Sequence, residues 1–165
     1  MPAPRVPTAW AATRGVVAAM AMTGFRQLTQ GLGLVERTPP EAVLQETAPG
    51  LFYRVPVERR PALVEAAHWG YGAIAGAVFG ALPVRWRQRV WAGPAYGSVV
   101  WAVFEAGISP ALGLTRQPRH GPVQSSMLLL DHLLYGAVVA GETGSAVRRE
   151  RGSPRAARVG LSRSG

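Results

Sequence analysis

The 165-residue chain contains no cysteine and no lysine, a single aspartate (Asp131) and only three histidines. The missing cysteine excludes disulfides, thiolate metal sites and a cysteine nucleophile, and leaves the compartment open. Also missing are a Gly-x-x-x-x-Gly-Lys phosphate loop, a Gly-x-Ser-x-Gly elbow and a His-Glu-x-x-His zinc helix. No soluble-enzyme signature is therefore present, and no enzymatic activity or cofactor is expected. With lysine absent, all 18 basic residues are arginine, against nine acidic ones, and the pI is near 11.5. Such a balance can mark nucleic-acid binding. The distribution of charge along the chain favours another partner, the lipid bilayer.

Charge is scarce in three long stretches. Ala66 to Val84 carries no Asp, Glu or Arg, Val90 to Thr115 carries only Glu105, and Ser125 to Gly141 carries only Asp131. The last eighteen residues are polar and basic, which is the contrast of a membrane domain with a soluble tail. The apolar runs are too long for strands, and small residues recur every four positions, so each reads as a helix. The expectation is an all-α integral membrane four-helix bundle over residues 1–147, with spans at about 10–35, 61–82, 90–114 and 125–147. Residues 148–165 are expected to be a disordered Arg-rich tail that is drawn to anionic lipid. The first span is the weakest, because its apolar core, Gly15 to Phe25, falls short of the ~20 residues a crossing needs. A cleaved signal peptide or an interfacial helix are its rivals. The loop from Glu36 to Arg60 contains a short helix that lies on the membrane surface or folds as a lid, and the residues do not choose between these.

The arginines orient the model. With both termini cytoplasmic, the inside holds Arg5, Arg14, Arg85, Arg87, Arg89 and six tail arginines, and the outside holds Arg37, Arg54, Arg59, Arg60, Arg116 and Arg119. The excess lies inside, as the positive-inside rule requires of a multi-pass inner-membrane protein. Trp10, Trp86 and Trp91 then fall near one interface and Trp69 nearer the other.

Three strings, "AAHWGYGAIAGAVFGAL", "GPAYGSVVWAVFEAGISPALGL" and "DHLLYGAVVAG", together with "LGLVERTPPEAV", carry a family resemblance over residues 9 to 145. The pattern resembles small bacterial inner-membrane proteins of the YagU type. That resemblance implies four membrane helices and a poorly defined role, and it supplies no catalytic residues. The chain departs from the family pattern at Asp131, where a small residue is expected before the histidine.

Depth counting brings ionisable residues together. At about 1.5 Å per residue, His68, Asp131 and His132 lie about 10 Å below the outer ends of their spans, and Glu105 and Arg26 about 13 Å. A charge at a span centre costs about 2.5–3.5 kcal/mol on insertion scales, so these groups should face inward and pair. Arg26 is expected to pair with Glu105 or Asp131, and His68 and His132 to donate to the remaining carboxylate. Tyr71 and Tyr135 each follow a histidine by three positions in a repeated His-x-x-Tyr-Gly-Ala, close enough to bond it; core aromatics without that bond are the alternative. The repeat is read as an old duplication of a two-helix unit or as chance. Imidazole and carboxylate also suit zinc or iron, but without a ligand spacing no metal is expected.

Two functions follow from this layer. In one, it is polar glue that holds an accessory or structural membrane protein together. In the other, it handles protons or a solute in a small translocating protein. Gly72, Gly76 and Gly80, Gly93 and Gly97, and Gly136 mark close helix packing, a glycine zipper that serves the monomer or a homo-oligomer.

Overall fold

The computed structural model describes residues 8–34, 39–114 and 121–152, with side chains described as far as Gly141. The chain is all-α, and among the described residues there is no strand. Its helices are α1 (Thr8–Gly31), α2 (Pro39–Thr47), α3 (Pro49–Arg54), α4 (Arg60–Ala81), α5 (Val84–Arg87), α6 (Ala92–Val103), α7 (Ser109–Ala111) and α8 (Pro122–Gly152). A 3-10 turn, Val57–Arg59, precedes α4, and a π turn, Phe104–Ile108, joins α6 to α7.

Backbone chemistry explains the helix ends. α1 stops short of the expected Val35 because Gly33 takes a left-handed φ of 71°. The Leu34 and Gly33 amides then donate back to the Thr29 and Gln30 carbonyls at 2.9 Å, which is a Schellman cap. The third expected helix is interrupted. Pro110 has no N–H, and its ring crowds the carbonyl four residues earlier. The turn before it widens, so that the Ser109 amide bonds the Phe104 carbonyl and swings Glu105 with it. α8 continues as helix to Gly152, past the expected span end at Val147. The remainder of the expected tail, 153–165, lies outside the described residues.

The long helices pack through small residues. A Cβ on Gly15 of α1 would strike the Gly72 carbonyl of α4, and one on Gly80 would strike the Ala11 methyl. Gly97 of α6 similarly abuts the His132 backbone of α8, and Gly136 abuts Gly93. Rising numbers on one helix thus meet falling numbers on its partner, so α1 with α4, and α6 with α8, are antiparallel pairs. The Gly72–Gly76–Gly80 face is occupied by α1. The pairs join around Ala18, Met22, Ala75, Phe79, Tyr135 and Val139. Tyr135 Oη donates to the Gly72 carbonyl at 2.7 Å and Tyr96 Oη to the Ala75 carbonyl at 2.6 Å. At one end α2 and α3 fold over, with Leu44 and Phe52 packed on Val64.

Among the described residues one helical segment, Pro122–Gly141, is long and apolar enough to cross a membrane by length and composition. α6 has only 12 residues, α1 is diluted by Thr, Gln and Arg, and α4 by Glu65, His68 and its glycines.

Candidate functional site

The ionisable residues gather near the α2 end of the helices. Arg26 sits on the face of α1 that meets α4 and α8, and only 5% of it is exposed. Its Nη2 lies 3.7 Å from Glu65 Oε2 of α4, and its Nε lies 3.8 Å from Asp131 Oδ2 of α8. Asp131, 2% exposed, is among the most deeply buried large side chains of the described residues. The expected pairing of Arg26 with Asp131 forms. The alternative pairing with Glu105 does not form among the described residues, and Glu65 takes that place.

Depth counting passed over Glu65 because it lies only one turn inside α4. Its position three residues before His68 puts both on one helix face and is the signal that could have found it. Thr23, one turn before Arg26, completes the group. Its hydroxyl donates to Glu65 Oε2 at 2.6 Å and accepts from Trp69 Nε1 and Arg26 Nη2, each at 3.3 Å.

The histidines do not reach a carboxylate. His132 Nδ1 donates to the Leu128 carbonyl at 2.8 Å, since a carbonyl can only accept. His68 Nε2 is buried with no hydrogen-bond partner among the described residues. Of the two readings of the His–Tyr pairs, the unbonded one holds among the described residues, and Tyr135 reaches across to Gly72 instead. The cause is geometric: the glycine contacts bring neighbouring backbones within reach of the tyrosine ring, and their carbonyls are better placed than the imidazole above.

A cavity of about 310 Å³ opens between these helices. Arg26, His68, Glu105, Asp131 and His132 all border it, and the rest of its wall is largely apolar, with Met22, Val100, Phe104, Ile108 and Leu128. α2 borders it with Val43 and Leu44, as the lid alternative expects. Glu65 stands behind Arg26 and does not line the cavity. Two buried polar atoms of the ion pair, Arg26 Nε and Asp131 Oδ1, have no hydrogen-bond partner. No hydrogen bond or ion pair ties Glu105 to another described residue. Among the described residues no three His, Asp or Glu side chains are placed to share a metal ion.

The expected packing glycines 72, 76, 80, 93, 97 and 136 all lie in helix–helix contacts, as described above. No protein-family model matches the chain, and no curated protein or solved structure is similar to it.

Proposed function

We propose that the chain is a bacterial inner-membrane protein with four spans, α1, α4, α6–α7 and α8, and that it receives a small solute in the cavity between them. The YagU-type residue pattern is in keeping with this reading. The distribution of side chains supports the membrane part, because charge lies inside the bundle while large aliphatic residues lie outside it. Arg26 and Asp131 are buried, whereas Ile74 is 67% exposed, Leu28 60% and Val99 57%. Exposed aliphatic residues on several long helices, with charge inside them, suit a lipid surround.

One observation carries the solute: the cavity is bordered by Arg26, His68 and Asp131, each with a buried polar atom that no described residue satisfies. A layer serving only as glue satisfies its own groups, since each unsatisfied one costs about 1–3 kcal/mol. A second reading, a structural bundle, is favoured by the Tyr96, Tyr135 and Arg14 bonds to carbonyls of neighbouring helices. These bonds lie at or beyond the inner edge of the cavity, and the two roles are compatible.

The native absence of cysteine provides the test. Ile108→Cys places a single thiol on the cavity wall. In vesicles with the α2 side outward, a small neutral thiosulfonate should label it, and Leu44→Trp should slow the labelling by narrowing the mouth. No labelling of a folded Ile108→Cys protein would refute the pocket. Release of the wild-type chain by an alkaline carbonate wash would refute the membrane.

A further inference from the structure

Resting on this reading, we infer that the cavity selects an organic monocation, a protonated amine carrying an apolar body, with Glu105 and the free oxygen of Asp131 as its counter-charges. The charges around the cavity decide the sign. Among the described residues Arg26 is the one arginine on the wall, and it already stands between Glu65 and Asp131 at 3.7 and 3.8 Å. An anion would have to compete with both carboxylates for one guanidinium. Two carboxylates of the wall, by contrast, keep acceptor capacity that no described residue uses. Asp131 Oδ1 has no hydrogen-bond partner among the described residues, and Asp131 is 2% exposed. Glu105 has neither an ion pair nor a hydrogen bond within the described residues.

Glu105 lies in the π turn Phe104–Ile108, and π turns are frequent where a helix carries a site. Glu105 borders the cavity together with Phe104 and Tyr71, whose rings add faces that attract organic cations.

The remaining wall sets the body of the ligand. A bare metal ion demands several oxygen ligands, and among the described residues no three acidic or histidine side chains are placed to share one. It would also leave most of the 310 Å³ unfilled. Met22, Val100, Leu128 and the lid residues Val43 and Leu44 offer that space to an apolar group. A wholly apolar guest, such as a lipid tail, would bury Glu105 with no compensation. An amine head on an apolar body meets both demands.

The probes are 2-phenylethylamine, 2-phenylethanol and phenylacetate, isosteres of different charge, with sodium chloride as a fourth arm. Each is titrated by calorimetry into the full chain in detergent. The amine should bind about tenfold or more tighter than the alcohol, and phenylacetate more weakly than either. Glu105→Gln should remove the amine's advantage and leave alcohol binding and melting temperature unchanged, since Glu105 ties no helices together. Equal binding of amine and alcohol by the wild-type protein would overturn the proposal even if the variant failed to fold, and would leave the pocket standing. So would a response to sodium equal to that of the amine. If no probe binds while Ile108→Cys is still labelled, the cation proposal alone falls. If the thiol is also unreactive, both readings fall.

Discussion

Arg26 is held between two acids, and this makes the effects of its loss and of theirs unequal. Breaking a buried ion pair by removing one partner costs about 3–5 kcal/mol, because the other charge is left uncompensated. Arg26→Leu strands both Glu65 and Asp131, whereas Asp131→Leu leaves Arg26 with Glu65 at 3.7 Å. Unfolding in mixed detergent should therefore show Arg26→Leu losing about 3–5 kcal/mol and Asp131→Leu clearly less. Equal losses would mean that Glu65 does not share the charge. Tyr135→Phe is a smaller test. It removes one bond to the Gly72 carbonyl, and should cost about 0.6–2 kcal/mol as membrane hydrogen bonds do. At this scale depth counting narrowed the partner of Arg26 to Glu105 or Asp131, of which Asp131 pairs with it, since expensive charges on facing helices have few other partners. It did not disclose Glu65 or Thr23. A carboxylate about 6 Å inside a helix end can look solvated, and a threonine hydroxyl carries no charge to account for. The histidine bonds were misassigned because their competitors are backbone carbonyls, which every residue supplies and no motif marks.

The helices themselves divide the glycines into two kinds. Gly97 and Gly15 face backbone atoms of a neighbouring helix, so Gly97→Ala and Gly15→Ala must push α6 from α8 or α1 from α4. Gly24 and Gly70 meet nothing within 4 Å. Substituting these by Ala should be neutral or stabilise by up to about 1 kcal/mol through helix propensity. Melting curves of the four variants should split into those two pairs. A Gly24→Ala that destabilised as much as Gly97→Ala would reveal a contact with a second copy. Helix existence was legible from the spacing of small residues, and so was close glycine packing. Helix ends were less so, because Gly33 and Pro110 act through backbone geometry that periodicity does not report. The repeated His-x-x-Tyr-Gly-Ala gains a physical meaning here. Gly72 and Gly136 perform the same task, each receiving the backbone of a partner helix, α1 for one and α6 for the other. Those partners share no evident sequence, which is what a duplication would leave if only the contact glycines were constrained. Both tyrosines border the cavity, and Tyr135 also locks the two pairs together.

For the whole molecule, the antiparallel contacts turn a charge count into a geometry. Ala11 meets Gly80, so the start of α1 lies beside the end of α4, and α5 follows at that end. Trp10, Trp86 and Trp91 are all about half exposed there, the last two with ring centroids 6.3 Å apart. Arg14 reaches the Val138 carbonyl of α8 from the same end, and α8 runs on to Gly152 with Arg148, Arg149 and Arg151 along it. The opposite end carries α2 and α3, and α2 borders the cavity there. α1 and α4, at 24 and 22 residues, are about 33–36 Å long, enough for a hydrocarbon core of about 30 Å. If the aromatic and arginine-rich end is cytoplasmic, both termini are inside and the lid faces out. Reporter tags at the two termini should then read cytoplasmic. A glycosylation acceptor inserted at Glu46, at the exposed end of α2, should be modified in a eukaryotic microsome assay. The rule also predicts how to break the arrangement: replacing Arg85, Arg87 and Arg89 by Gln weakens the only short inside loop. Mixed orientation should follow in that variant, with a fraction of the lids inside. A fully retained topology would show that the tail arginines alone orient the chain. An α2 acceptor that stays unmodified in the wild-type protein would place the lid, and with it the mouth of the cavity, on the cytoplasmic side.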